Sequence, residues 1–243
     1  MRSRLIGSVV LGIAVLAIGM LIVGTPRQPV VSTAGAEPIA RDLSGVWMQR
    51  DLGDSFTTSA PPMQPWAIER AAENVKGGSA GDPEEKCFPP GIPRIYLHRY
   101  PIEIIQSATR TLFYYEYDHF VRQVWTDGRS HPPADELDPS WMGHSIGRWE
   151  ADAFVIDTVG FNDRTWLDNA GHPHSEALHL TERMRRVDGD ALQIDLTFED
   201  PKAYTQPWTG QKIFRLRPGW EISEHVCADN FLWKEPGKEA SDR

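Results

Sequence analysis

The feature that most constrains this fold is an alternation of apolar and polar residues with a period of two. In the clearest case, Leu192, Ile194, Leu196 and Phe198 are separated by single polar residues. Successive side chains of a strand point to opposite faces, so the pattern predicts a strand with one buried and one solvated face. Further strands are predicted at 102–107, 111–117, 119–126, 153–159, 177–187, 212–217 and 221–227.

Short turn signals separate many of these strands, which favours antiparallel pairing of neighbours. The turns are Asp127-Gly128, Ala151-Asp152, Asp188-Gly189-Asp190 and Pro218-Gly219. A sheet of about nine strands needs protected edges, and closure into a barrel provides them. We therefore expect an all-β protein, a single antiparallel β-barrel of lipocalin-like type with long loops and one short helix.

The short helix is predicted over 64–75. Pro65 suits the first turn of a helix, where its missing N–H leaves no intrahelical bond unmade. Trp66, Ala67, Ala71 and Val75 form a weak apolar stripe.

Residues 1–36 are predicted to be a signal peptide or an N-terminal membrane anchor with a linker, and 37–243 the barrel domain. Arg2 and Arg4 precede an uncharged run over 5–24, and Ala34-Gly35-Ala36 has the small-x-small form of a cleavage site. The apolar run is also long enough to span a bilayer, so cleavage and retention both stay open. Either outcome predicts a periplasmic or secreted domain, anchored if the helix is retained.

Charge limits the partners of the exported part. The whole chain has a net charge of −9. Residues 1–36 carry three basic residues and no acid, so 22 basic and 34 acidic residues remain and the charge becomes −12. Such a field repels nucleic acid and anionic lipid. We expect a small-molecule ligand, no nucleic acid, and membrane contact only through the N-terminal segment.

The two cysteines, Cys87 and Cys227, are predicted to form a disulfide. They are the only cysteines of the chain. An isolated pair that is exported to an oxidising compartment is more often bridged than free.

Three connections, 59–101, 127–147 and 160–176, are long for a β-meander and carry most of the polar chemistry. Long ordered loops on a β scaffold usually carry function or cover a cavity. Acids and histidines in these loops and the adjoining strand are suited to general acid–base catalysis. The catalytic candidates are His144, Asp163, Asp168, His174 and Glu182.

Strand phase separates two of the acids. Glu182 is in phase with Leu178, Leu180 and Met184, so its side chain should face the barrel interior. There it is either a general acid or base, or the partner of a buried arginine such as Arg122. By contrast, Asp157 lies out of phase with the apolar residues beside it, which predicts a wet-face residue or a partner that orients a histidine.

Substrate binding is assigned to polar and aromatic residues of the same loops. Trp141 and Trp166 can stack on a sugar or aromatic ring, and Arg129 and His131 lie in the first polar loop. A mouth shared by both loops requires 148–159 to be a hairpin that turns at Ala151-Asp152. His144 would then approach Asp163, Asp168 and His174.

Neither a metal nor a cofactor is assigned. His172, His174 and His179 could ligate a metal, but Pro173 distorts the spacing and no CxxC or HExxH motif supports it. The chain also has no G-x-G-x-x-G and no P-loop, which argues against a nucleotide cofactor.

Two resemblances add to this interpretation. Gly45-Val46-Trp47 resembles the G-x-W of lipocalin-like (calycin) barrels, which implies that Trp47 closes one barrel end beneath a late arginine, Arg215 or Arg217. Most of the exported part resembles a large family of exported bacterial proteins without an assigned reaction. That resemblance implies export and one β-barrel-like domain, and it identifies no catalytic residue. The matching segments are PPMQPW at 61–66, CFPPGIPR at 87–94, WTDGR at 125–129, WMGHSIGRWE at 141–150, DTVGF at 157–161, HS at 174–175, ER at 182–183 and DPKAY at 200–204.

Three functions follow as hypotheses. The first is an enzyme, a hydrolase, lyase or isomerase, that acts on a small ring-bearing or glycosidic molecule. The second is a non-catalytic carrier of a small ligand. The third is a structural module of an envelope complex.

Overall fold

The computed structural model describes residues 41–229, which form a closed nine-stranded β-barrel. The predicted export segment and its cleavage site lie outside the described residues. Strands follow one another around the barrel in chain order, and the last pairs with the first. They are β1 (Gly45–Gln49), β2 (Ile102–Gln106), β3 (Arg110–Tyr115), β4 (Val121–Trp125), β5 (His144–Glu150), β6 (Ala153–Val159), β7 (His179–Arg186), β8 (Ala191–Glu199) and β9 (Trp208–Leu216).

The strand count explains the one departure from antiparallel pairing. A closed ring of strands can alternate direction throughout only if their number is even, so nine strands require at least one parallel pair. That pair is β4–β5, in which Val124 lies opposite Ser145 and Trp125 opposite Ile146. Because both strands run the same way, the connection 126–143 has to double back before it enters β5. The predicted barrel is confirmed, but its sheet is mixed.

The hairpin predicted at Ala151-Asp152 is confirmed. β5 and β6 pair along their whole length, from His144 opposite Val159 to Glu150 opposite Ala153. The chain therefore enters β5 and leaves β6 at the same end of the barrel. There the two polar loops meet, because Ser140 and Phe161 form a parallel bridge.

The barrel interior is filled by side chains. Leu192, Ile194, Leu196 and Phe198 are all buried, as their alternation predicts. The cavity that lies among Trp47 and its aromatic and aliphatic neighbours measures only about 10 Å³. A space of this size holds at most one water molecule, so the described barrel is a packed core and not a ligand chamber.

The predicted helix is confirmed as α1 (Pro65–Asn74), with proline in its first turn. Its buried residues are Ala67 and Ala71, whereas Trp66 and Val75 of the predicted stripe are exposed. A helix that packs through two alanines lies close to its support, and its larger side chains remain at the edge of the contact. Over residues 41–229, no helix is long and apolar enough to cross a membrane.

The predicted disulfide between Cys87 and Cys227 is confirmed and closes a loop of 140 residues. The strand predicted at 221–227 is wrong, since this segment has no strand partner. Its backbone instead bonds to side chains: Ser223 N–H donates to Glu116, and Cys227 N–H donates to Asp118. These contacts replace a strand ladder and lead the chain to the disulfide.

Two further local expectations are corrected. The strand predicted from 119 starts at Val121, because Asp118 and His119 have left-handed φ angles of 51° and 54° within a short 3₁₀ turn. Trp47 is fully buried, as the G-x-W resemblance implies. However, the guanidinium over its ring belongs to Arg186, 5.3 Å from the ring centroid. The two expected arginines act elsewhere: Arg215 pairs with Asp188 and Asp190, and Arg217 lies over Trp220.

Candidate functional site

A surface cavity of about 320 Å³ lies where α1 meets the loop 160–176. We call it the α1 cavity. Asn74, at the end of the helix, donates from Nδ2 to the carbonyl of Gly171 at 2.9 Å. Gly171 has a φ of +80°, and a Cβ there would lie 2.9 Å from Val75 Cγ1, so the close approach requires glycine. The lining residues are Trp66, Arg70, Asn74, Gly81, Pro83, Asp163, Arg164, Thr165, Trp166, Pro173, His174 and Ser175.

The segment that carries His174 is held in place on both sides. The Tyr204 hydroxyl donates to the Pro173 carbonyl at 2.8 Å. Asp200 accepts hydrogen bonds from the backbone N–H and the hydroxyl of Ser175, at 2.6 and 2.8 Å. These partners come from the connection between β8 and β9, so the barrel frame fixes the position of His174.

His174 combines burial with one unused nitrogen. Its Nδ1 lies 3.2 Å from the Ser175 carbonyl, which can only accept, so Nδ1 carries the proton. Nε2 is buried without a hydrogen-bond partner among the described residues. Burial lowers the pKa of His174 and outweighs the opposing effect of the Ser175 carbonyl and of Asp200 and Asp163. The imidazole is therefore neutral near pH 7, with a lone pair on Nε2 that can accept a proton.

The lowered pKa of His174 predicts a pH-dependent stability. Above the ordinary value of 6.5 both folded and unfolded states leave this histidine neutral, and the stability is complete. As the pH falls below that value, the unfolded chain binds a proton first, and stability is lost until the folded pKa is passed. The expected slope is at most about 1.4 kcal/mol per pH unit. Urea unfolding between about pH 5 and pH 8 should show a shallower slope for His174→Asn than for the wild type. Equal slopes would contradict the assignment.

Of the other predicted site residues, Asp163 and Trp166 also line the α1 cavity. Asp163 is exposed at its rim. Trp166 is nearly buried, and the Arg94 guanidinium lies 4.9 Å from its ring centroid. Arg94 is in turn paired with buried Asp82, so one face of Trp166 is backed by an internal ion pair.

Asp168 is a buried anchor of the same loop. It accepts hydrogen bonds from the Ser55 hydroxyl at 2.5 Å, from the backbone N–H groups of Ala170 and His172, and from His172 Nδ1 at 2.7 Å. The last contact orients the ring of His172. Asp168 thus positions a histidine and ties 160–176 to the segment after β1, but it does not line the cavity.

Glu182 lies inside the barrel, as its strand phase predicts, and is paired with Arg122. Both side chains are almost completely buried. Arg122 binds both carboxylate oxygens, and the Tyr96 hydroxyl donates to Oε1 at 2.8 Å. Arg122 also donates to Ser145 and Thr158. The ion-pair alternative therefore describes this residue in the structure.

His144 and His131 lie together on the outer wall of the barrel. Their Nδ1 atoms are 2.8 Å apart, and His131 Nε2 is 2.9 Å from Asp157 Oδ1. His179 Nε2 reaches the same oxygen at 3.0 Å. If His131 donates to Asp157, its Nδ1 accepts from His144, which leaves the lone pair of His144 on Nε2. Asp157 thus orients a histidine from the wet face.

The pKa shifts in this outer cluster follow from its contacts. Burial lowers the pKa of His144, and the nearby His131 and Arg129 lower it further. Burial alone would raise the pKa of Asp157, but the hydrogen bonds from His131 and His179 outweigh it and the pKa is lowered. His144 makes no hydrogen bond to Asp163, Asp168, His174 or Glu182 in the described chain, so the predicted composite cluster is divided among separate places.

The predicted binding residues are also separated. Trp141 stacks on Phe88, with ring centroids 5.8 Å apart, and both line a second cavity of about 220 Å³. We call it the Phe88 cavity. Arg129 instead pairs with Asp127 and covers Trp125, 3.6 Å from the ring centroid. Neither Arg129 nor His131 lines either cavity.

The helix contributes three cavity residues that the sequence analysis missed as a set. Trp66, Arg70 and Asn74 are spaced by four residues and so share one helix face. All three line the α1 cavity. The spacing was a usable signal, but Trp66 was assigned to the apolar stripe one residue away.

No metal centre is formed by the residues that the structure describes. Across 41–229, no group of three or more His, Cys, Asp or Glu side chains is arranged to hold a metal ion. His172, His174 and His179 each have a different partner: Asp168, the Ser175 carbonyl and Asp157.

Comparisons of the chain with protein-family models, with curated proteins and with solved structures found no significant match, so both resemblances stay predictions.

Proposed function

We propose that this protein is an exported enzyme that uses general acid–base catalysis on a small ring-bearing or glycosidic molecule bound in the α1 cavity. The observation that carries the proposal is His174. It is a neutral buried imidazole whose Nδ1 proton is held by a backbone carbonyl and whose Nε2 has no partner. A buried acceptor without a partner is costly to keep in a fold, and such groups cluster at functional sites.

The cavity also supplies the other groups that proton transfer needs. Nε2 of His174 can take a proton from a hydroxyl, a water molecule or an acidic C–H group of the substrate. Arg70 and Arg164 can stabilise the negative charge that develops on the substrate. Asp163, exposed at the rim, is the second carboxyl or carboxylate group available for transfer. These roles suit hydrolysis, elimination or isomerisation.

Ring recognition is assigned to Trp66, which is 43% exposed. Its indole N–H donates to the Lys202 carbonyl at 2.7 Å, which fixes the plane of the ring. A fixed, exposed indole offers a flat face on which a sugar or aromatic ring can stack.

A carrier of the lipocalin type has less support. Such a protein would hold its ligand in the barrel, where the described cavity measures about 10 Å³. A non-catalytic protein could still bind a ligand in the α1 cavity, and only turnover distinguishes it from an enzyme.

Location outside the cytoplasm is part of the proposal. The disulfide supports an oxidising compartment, because such bonds are rare in the reducing cytosol.

The test is turnover by the purified 37–243 domain on a panel of chromogenic glycosides, lactones and cyclic acids. We expect His174→Asn to lower kcat about a hundredfold, because the amide keeps the donor to the Ser175 carbonyl but cannot accept a proton as Nε2 does. The acidic limb of the wild-type kcat/KM profile should lie below pH 6.5.

His119→Gln is the matched control, since this exposed histidine bonds only to backbone groups of 223–225 at the barrel surface. Unchanged turnover in His174→Asn would overturn the proposal. A loss in His144→Asn instead would move the base to the outer cluster. Binding without turnover of any compound would favour the carrier.

A further inference from the structure

We infer that the ligand of the α1 cavity is an anionic saccharide of at least two rings, and that it extends into the Phe88 cavity. This inference rests on the proposed function, because it names the substrate class of the same site. Three observations carry it: the two cavities adjoin, their charged lining is mostly basic, and each has an exposed aromatic ring in its wall.

The two cavities adjoin because they share wall residues. Gly81, Pro83 and Arg164 line both. A molecule that fills the α1 cavity therefore reaches the Phe88 cavity by passing Arg164. The α1 cavity alone is at the lower limit of the volumes that drug-sized ligands occupy, so a longer ligand needs both.

The charged residues of this joint groove oppose the charge of the whole protein. Arg70, Arg164 and Lys86 line it, against Asp163 and the buried Asp82. Asp82 is already neutralised by Arg94. Three cations thus face one uncompensated carboxylate, in a chain of net charge −9. A ligand drawn to this groove gains from negative charge that the rest of the surface would repel.

Arg164 is available to bind such a group. Its backbone N–H is held by the Asn162 side chain at 3.2 Å, which fixes the base of the residue. Within 41–229, its guanidinium makes no hydrogen bond or ion pair, and the residue is exposed. A guanidinium presents paired donors that match the two oxygens of a carboxylate, or those of a sulfate or phosphate.

The aromatic residues indicate rings on both sides of Arg164. Trp66 belongs to the α1 cavity and Phe88, which is 48% exposed and stacked on Trp141, to the other. Polar wall residues such as Asn74 and Ser175 favour a hydroxyl-rich ring over an apolar one. Together these features fit a saccharide with a carboxylate or sulfate between or beside its rings.

Binding titrations of the wild-type domain test this with three probes. They are a disaccharide of two uronic acids, the same disaccharide with its carboxyl groups reduced to alcohols, and the uronic acid monosaccharide. We expect the acidic disaccharide to bind at least tenfold more tightly than either of the others, and its affinity to fall with added salt. Arg164→Gln should weaken the acidic disaccharide roughly tenfold to a hundredfold and leave the neutral one nearly unchanged.

Further variants separate the parts of the inference. Phe88→Ala should weaken the disaccharide and not the monosaccharide, whereas Trp66→Ala should weaken both. Arg185→Gln is the control, since this exposed arginine on β7 lines neither cavity. Equal affinities for the acidic and neutral disaccharides, or an Arg164→Gln variant that binds like the wild type, would overturn the inference. Failure of any saccharide to bind would do the same.

The two proposals can fail separately. If the acidic disaccharide shows no preference but His174→Asn still abolishes turnover of another compound, only the ligand class is wrong. If it binds as expected but His174→Asn does not alter turnover, the ligand class holds and the assigned base is wrong.

Discussion

Replacement of Glu182 by glutamine is expected to lower the free energy of unfolding by about 3–5 kcal/mol. The carboxylate is paired with Arg122 at the centre of the barrel, where both side chains are almost completely buried. The amide is nearly isosteric, so little packing is lost. However, it leaves the guanidinium charge uncompensated in a low-dielectric core, which is the most costly way to break such a pair.

A double variant tests this explanation. Glu182→Leu with Arg122→Met removes both charges, so it should recover most of the lost stability, although Ser145 and Thr158 lose a donor. Glu199→Gln is the surface control; its side chain is 45% exposed, and the change should cost less than about 1 kcal/mol. Urea unfolding followed by tryptophan fluorescence measures all three. A loss below about 0.5 kcal/mol for Glu182→Gln would contradict the buried ion pair.

Removal of the disulfide should cost about 5 kcal/mol of stability. In the chain-entropy model the cost grows with the logarithm of the loop that the bond closes, here 140 residues. Alanine is the preferred replacement for both cysteines, because Cys227 is buried and a serine hydroxyl would need a partner. Urea unfolding of the Cys87→Ala/Cys227→Ala domain provides the value.

Thiol chemistry provides the control. Denatured wild-type protein should show no free thiol before reduction and two afterwards. Reduced wild type should then match the double variant in stability. Two thiols before reduction, or a double variant as stable as the wild type, would contradict the bridge. Because Lys86 and Phe88 flank Cys87, the bond also supports one wall of the Phe88 cavity.

Strand periodicity predicted where several important side chains point. Glu182 faces the interior and Asp157 the outer wall, because alternation along a strand is local and the barrel decides only which face is inside. The hairpin at Ala151-Asp152 was predictable for the same reason. Periodicity failed at 221–227, where side-chain partners replace a ladder that a short segment alone cannot reveal.

The candidate site was predicted only in part. His174, Asp163 and Trp166 do line one cavity, whereas His144, Asp168 and Glu182 belong to other clusters. Polar residues close in sequence have several possible partners, and the choice among them depends on contacts with distant segments. Asp168, for example, is held by Ser55, 113 residues away.

The sequence by itself determined a closed β-rich domain, its disulfide and the direction of its strand side chains, since these follow from alternation and from a single pair of cysteines. Only the tertiary structure decided the parallel β4–β5 pair and the α1 cavity. The first follows from an odd strand count, which becomes definite only when every ladder is known. The second arises where α1 packs on the loop 160–176, a contact between segments that no local pattern links.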